Sequence, residues 1–142
     1  AMQPGGIVIA VVTLDDARRL RVSYGEAVTA RVVRALAETL GKHLGTTAIG
    51  DIGGYRLLVV VEATDPDGVA ARLNDARMAF SGRTMRVRED DREIGTVSFS
   101  GGLAPARSRA FEVVLQAVVA LAGQATAGGG DMIVVEGAVT GV

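Results

Sequence analysis

The chain has 142 residues, 49% of them apolar and only 4% aromatic, so a single domain of this length must fill its core with Val, Ala, Leu and Ile. Its 15 basic and 16 acidic residues leave a net charge of −1, which gives no electrostatic footing for nucleic acid or an anionic membrane. The lack of cysteine excludes a disulfide scaffold and thiol chemistry and suits a reducing, cytoplasmic setting, and no apolar run reaches the ~20 residues of a membrane span.

The opening AMQPGG lacks the charged-then-apolar form of a signal peptide. Residues 1–6 read as tag or linker, 7–136 as the domain and 137–142 as a tail. IVIAVVTL, at 7–14, is a continuous run rich in β-branched residues, the pattern of a strand buried on both faces. Asp15 and Asp16 follow as candidate caps for a short helical turn through Arg21, before Ser23-Tyr24-Gly25 interrupts. From Glu26 to Leu44, apolar residues recur at steps of three and four (Val28, Val32, Ala35, Leu36, Leu40, Leu44), which predicts a long amphipathic helix. Arg31, Arg34, Glu38 and Lys42 take its outer side.

A strand over 46–52, a turn at Gly53-Gly54 and a strand over 55–63 predict a β-hairpin. Asp65-Pro66 reads as a cap and first helical position, opening a helix to about Phe80 with Val69, Leu73, Ala76 and Phe80 inward and Ser81-Gly82 as its stop. A short strand over 85–88 points Arg86 and Arg88 outward. The polar tip Glu89-Asp90-Asp91-Arg92-Glu93 leads to a strand over 94–100 that ends in Gly101-Gly102. A helix over 111–122, a glycine loop at Gly128 to Gly130 and a strand over 132–135 complete the order β-α-β-β-α-β-β-α-β. The fold class is α/β (α+β). A mostly antiparallel central sheet is flanked by helices, with a ferredoxin-like βαββαβ core in its first six elements. The hairpin is expected mid-sheet, its turn beside the end of the first strand.

Several residue groups invite chemistry. Gly53-Gly54 could cradle an anion on backbone N–H groups, but a plain hairpin turn is the simpler reading. Arg56 is a phosphate contact, an exposed strand residue or a partner of Asp15 or Asp51. His43 has no second histidine or cysteine with which to hold a metal. Asp90-Asp91, flanked by Arg88 and Arg92, reads as a solvated tip. Tyr24 and Tyr55 pack at the sheet's end. Gly128-Gly129-Gly130 lacks the Lys and Ser/Thr of a P-loop.

Three segments, in order, resemble the GGDEF (diguanylate cyclase) family over roughly Ile7 to Val135. VVTL leading into LRVSYGEAVTARVV is similar to the family's apolar strand, its Asp-x-Asp-x-Phe-Lys-x-x-Asn-Asp segment, its Tyr-Gly-His and the start of its long helix. GDIGGYRLLVVV resembles Arg-Tyr-Gly-Gly-Asp-Glu-Phe with the strand after it, and VSFSGGLA resembles Val-Thr-x-Ser-x-Gly-x-Ala. The resemblance implies a nucleotide-cyclase palm fold. It also implies the joining of two GTP molecules into cyclic di-GMP by a dimer, with divalent cations held on carboxylates.

Carried over position by position, the first metal Asp falls on Thr13 and the second Asp of that motif on Asp15. The guanine contacts fall on Arg21 and Ala30. The signature falls on Gly53, Gly54, Tyr55 and Arg56, with Tyr55 in place of the acidic residue. The phosphate-binding cations fall near Thr126 and Gly130, and the product-inhibition motif on Leu44 and Thr47. The expectation is a degenerate domain that is not an enzyme and holds no metal or cofactor. It would serve as a regulatory or protein-interaction module in bacterial cyclic-di-GMP-type signalling. Its partners would be a protein, a neighbouring domain or a second copy in a homodimer, with no nucleic acid and no membrane. The alternatives are a sensor of GTP or cyclic di-GMP, an active cyclase using Asp15 and Asp51 as its metal pair, and an unrelated ferredoxin-like domain for a small ligand.

Overall fold

The computed structural model describes residues 6–87 and 90–137. Apart from Gly6 and Gly137, the expected tag and tail lie outside the described residues, as do Arg88 and Glu89. The elements are β1 (Ile7–Leu14), α1 (Ala17–Tyr24), α2 (Glu26–Leu44), β2 (Ile49–Gly53), β3 (Arg56–Glu62), α3 (Pro66–Ser81), β4 (Met85–Arg86), β5 (Glu93–Gly95), β6 (Phe99–Pro105), α4 (Phe111–Ala127) and β7 (Ile133–Val135).

β1 is the middle strand of a five-stranded sheet ordered β2-β3-β1-β6-β7. It pairs antiparallel with both β3 and β6, and β7 adds in parallel to β6. The apolar run of β1 follows from this position. Val8, Ala10, Val12 and Leu14 enter the larger core under α2 and α3, while Ile9 and Val11 enter the smaller core under α4. Full burial of each Val, Ile or Leu among them contributes about 1.5–3 kcal/mol. α2 has the expected bounds, between Gly25 at φ 92° and Gly45 at φ 64°, conformations that a residue with a Cβ rarely adopts. α3 opens on Asp65, whose carboxylate accepts from the Asp67 N–H, and carries Pro66 in its first turn.

Five expectations need correction. The hairpin is not mid-sheet: β3 lies inside, against β1, but β2 forms an edge. The helical turn expected to run through Arg21 is a two-turn helix, α1, from Ala17 to Tyr24, and the Asp16 cap has φ 58° with no side-chain capping bond. The stretch 94–100 is not one strand. β5 pairs with β4 in a separate two-stranded ribbon, and β6 starts at Phe99. Gly101-Gly102 does not end a strand but lies within β6. A Cβ at Gly102 would sit 2.5 Å from Leu121 Cβ and 2.7 Å from the Ala122 backbone nitrogen, so glycine there lets α4 lie flush on the sheet. α4 also runs past the expected 122 to Ala127.

Arg109 fastens the far edge. Its guanidinium donates to Glu136 at 2.6 and 2.9 Å and to the Pro105 carbonyl at 2.7 Å, beside the pairing of β6 and β7. The Arg109 hydrogen bonds, opposed by partial burial and aided by the guanidinium's charge, hold the Glu136 carboxyl below the ordinary carboxylate range.

Candidate functional site

The β2–β3 turn is built from Gly54 and Tyr55, with Gly53 already paired to Arg56. Both central residues have positive φ, 66° and 61°, the signature of a type I′ hairpin turn. The expected turn at Gly53-Gly54 is therefore displaced by one residue. The cause lies just before it: the Asp51 carboxylate accepts from the Gly53 N–H at 2.7 Å, and the ladder shifts register between these residues. Tyr55 is a non-glycine residue in the left-handed region, and two contacts hold it there. Its carbonyl accepts from the Leu14 N–H at 3.0 Å, and its hydroxyl donates to Glu26 at 3.2 Å. The turn is thus pinned to the end of β1 and to the first turn of α2, where a carboxylate also complements the helix dipole.

Between α2 and the hairpin lies an open groove of about 670 Å³. Val33, Ala37, Ile49 and Leu57 supply its apolar surface, and Glu26, Arg34, Asp51 and Tyr55 its polar groups. Ala30 lines it without filling it.

A second cluster sits at the end of β1. The Asp15 carboxylate accepts from the hydroxyls of Ser98 and Ser100, both at 2.7 Å, and from the Asp131 N–H at 2.8 Å. Gly130, at φ 77°, lies so close that a Cβ would meet the carboxylate at 3.0 Å. Arg77 in turn donates to the Asp131 carboxylate at 2.9 Å and to its carbonyl at 3.1 Å. The glycine loop after α4 is therefore a strap fastened over Asp15 and not a loose linker.

The predicted residues divide accordingly. Ala30, Gly53, Gly54 and Tyr55 meet in the groove. Thr13 is half-buried in β1, opposite Arg56 on β3 and Ser100 on β6. Arg56 does not reach Asp15 or Asp51 but donates from Nε to the Gly53 carbonyl at 3.0 Å. Arg21 is exposed in the last turn of α1 and joins neither cluster. Thr126 donates to the Ala122 carbonyl, Leu44 is buried and Thr47 exposed. His43 Nδ1 lies 3.0 Å from the Thr39 carbonyl, and Asp90 pairs with Arg92 at 2.7 Å. Sequence reasoning missed Glu26, Ser98, Ser100 and Asp131. The alternation of Ser98 and Ser100, which aims both hydroxyls at one carboxylate, was the available signal.

The resemblance implies divalent cations on carboxylates. Asp15 is the carboxylate nearest the end of β1, and protein donors already occupy both its oxygens. Asp51 is bonded within the hairpin, and the described residues contain no group of three His, Cys, Asp or Glu able to hold a metal. As arranged, this donor set does not fit a pair of divalent cations. No helix among the described residues is long and apolar enough to cross a membrane.

No protein-family model matches the sequence, and no curated protein matches it. Solved structures do match. The GGDEF domain of DgcB from Caulobacter crescentus, in complex with c-di-GMP, superposes with a TM-score of 0.86 at 19% identity, over 94% of this chain and 77% of that one. The active GGEEF domain of a diguanylate cyclase from Vibrio cholerae superposes at 0.80 and 12% identity, over 95% and 85%. Diguanylate cyclase SiaD from Pseudomonas aeruginosa, in complex with its activator SiaC, superposes at 0.82 and 20% identity, over 92% of this chain and 50% of that one. The chain has the fold of GGDEF domains. The expectation that it is not an enzyme is corrected by the same likenesses: two of these structures are diguanylate cyclases and one is described as active. The fold is an enzyme's fold, and substitutions at mapped positions do not exclude activity.

Proposed function

We propose that the chain is a regulatory domain of cyclic di-GMP signalling. It holds a guanine nucleotide in the groove between α2 and the β2–β3 hairpin and passes the bound state to a protein partner or a neighbouring domain. The supporting observation is the groove's lining. Glu26 and Asp51 place carboxylates at an apolar surface, and a guanine edge offers N–H donors that carboxylates accept. Arg34 supplies a cation for a phosphate, and Tyr55 offers a ring face beside its hydroxyl contact to Glu26. Two of the structural neighbours lend support, since DgcB was solved with c-di-GMP and SiaD with an activator protein. A ligand seated here would touch both α2 and the turn anchored to β1, so binding would stiffen the link between them.

Calorimetric titration with GTP and with cyclic di-GMP, each with and without Mg²⁺, tests the reading. Saturable binding of either, blocked by the groove-filling Ala30→Trp, is the expected result. Absence of heat from both, or binding indifferent to Ala30→Trp, refutes it. Chromatography of the GTP and Mg²⁺ mixture tests catalysis separately, since formation of cyclic di-GMP would make the domain a cyclase.

A further inference from the structure

We propose that the outer face of α1 is a docking surface for an acidic, amphipathic helix of a partner protein. α1 is two turns long, ARRLRVSY, with three arginines and no acid. Its inner side is fixed. Leu20 is fully buried, the Tyr24 hydroxyl donates to the Glu93 carbonyl at 3.2 Å, and the Arg92 guanidinium lies 5.3 Å from the centre of the Tyr24 ring. The helix therefore presents its exposed residues, Arg18, Arg19, Arg21 and Val22, from an anchored base. Val22 is 75% exposed, the most of any large apolar side chain among the described residues. Arg18 and Arg19 stand one turn before it, at the i−4 and i−3 positions that neighbour it on a helix, and Arg21 lies on its flank.

The needs of the helix itself explain only Arg21, a cation in the last turn. Arg18 and Arg19 sit in the first turn, where a cation opposes the helix dipole, and an outward β-branched valine lowers helix propensity while burying nothing. Arg18 and Arg21 make no side-chain hydrogen bond or ion pair among the described residues. Arg19 approaches Asp16 only at 4.0 Å, with both side chains at least half exposed, a contact that water weakens. An apolar side chain ringed by guanidinium forks is complementary to an apolar anchor ringed by carboxylates. The forks bind carboxylates in pairs, and the covered valine keeps water from them. Nucleic acid and anionic lipid fit less well. α1 is about 12 Å long, too short to track a run of phosphates, its central valine adds nothing to phosphate binding, and the net charge of the chain is −1. This face rests on the functional reading only in needing a protein partner. None of its residues lines the hairpin groove, so a titration without nucleotide can fail here while the groove still binds.

Amide-resolved NMR of the whole chain, titrated without nucleotide, tests the face. The probe is an end-capped helical peptide of ~15 residues whose glutamates flank a ridge of leucines, with the same residues in scrambled order as control. Saturable shifts at 18–22 are expected with the ordered peptide. Arg18→Glu/Arg21→Glu should weaken binding by at least about tenfold, since two charge-assisted contacts are reversed. Val22→Ala should weaken it roughly four- to fifteenfold, for one or two methyl groups of buried surface. Alanine is the better helix former, so that loss reports a contact and not a melted helix. Lys42→Glu, near the far end of α2, should leave binding unchanged. Absence of saturable shifts at 18–22, shifts that survive the double arginine variant, indifference to Val22→Ala, or equal binding of the scrambled peptide overturns the face. Binding of oligothymidylate or of phosphatidylglycerol vesicles through the same arginines, with the peptide silent, assigns the surface to phosphates and also overturns it.

Discussion

Replacing Asp15 with alanine removes the acceptor for three donors at once. The hydroxyl of Ser100, a fully buried residue, and the backbone N–H of Asp131 lose their partner, and the glycine strap loses its anchor on β1. A hydrogen bond to a charged group is worth about 1.5–3 kcal/mol, and the three belong to one network, so their sum is not additive. A loss of about 3–5 kcal/mol is expected, which at this chain length lowers Tm by roughly 10–20 °C. Asp15→Asn keeps the shape and one acceptor but surrenders the charge, and should cost only about 1–2 kcal/mol. Urea unfolding of the three proteins measures the difference, and amide exchange at 130–133 shows whether the strap opens first. A loss below about 1 kcal/mol in Asp15→Ala, or equal losses in both variants, would refute the view that Asp15 is the strap's charged anchor.

Gly102→Ala should cost at least about 1–3 kcal/mol in denaturant melts, because the new methyl meets α4 backbone that cannot rotate away. Asp65→Ala should cost about 1 kcal/mol by loss of the α3 cap, and an unchanged melt would show that Pro66 alone fixes the helix start. The Glu136 carboxyl is held low when folded, so its stabilising effect is present above the unfolded carboxyl's pKa and is lost as pH falls through the lower folded value. Acid should therefore destabilise the native chain more than Glu136→Gln, and parallel melts at neutral and acid pH measure the gap. Tyr55→Phe should change stability by under about 1 kcal/mol, since the bond to Glu26 is exposed, while weakening nucleotide binding in the groove.

The elements legible in the sequence are those whose determinants are local. β1 announces itself by an unbroken β-branched run. α2 does so by its spacing between two glycines, and α3 by Asp65-Pro66 and Gly82. Where the determinant is a distant contact, the same residues mislead. Gly101-Gly102 looks like a strand terminator because glycine often is one, yet here it is the gap into which α4 settles. Gly53-Gly54 looks like the central pair of a turn, yet the Asp51 side chain and the Tyr55 anchors move the turn by one residue. The edge position of β2 depends on which strand reaches β1, and no local pattern states that.

Asp15 shows why position-by-position carry-over from a family stops short of chemistry. Asp15 lies just after the end of β1, next to Leu14, whose N–H donates to the Tyr55 carbonyl of the β2–β3 turn. Its state, however, is set by Ser98, Ser100 and Asp131, 83, 85 and 116 residues away, which no motif at 13–25 contains. A carboxylate filled by three protein donors and the same carboxylate turned toward a ligand are one residue type with two chemistries, separated by a strap of three glycines and one ion pair to Arg77. The same reasoning bears on activity. Residue type at Thr13 and Tyr55 argued for exclusion, but what a site can do depends on how the strap and the hairpin stand around it. That makes product analysis with GTP, and not the identity of the mapped residues, the arbiter of catalysis.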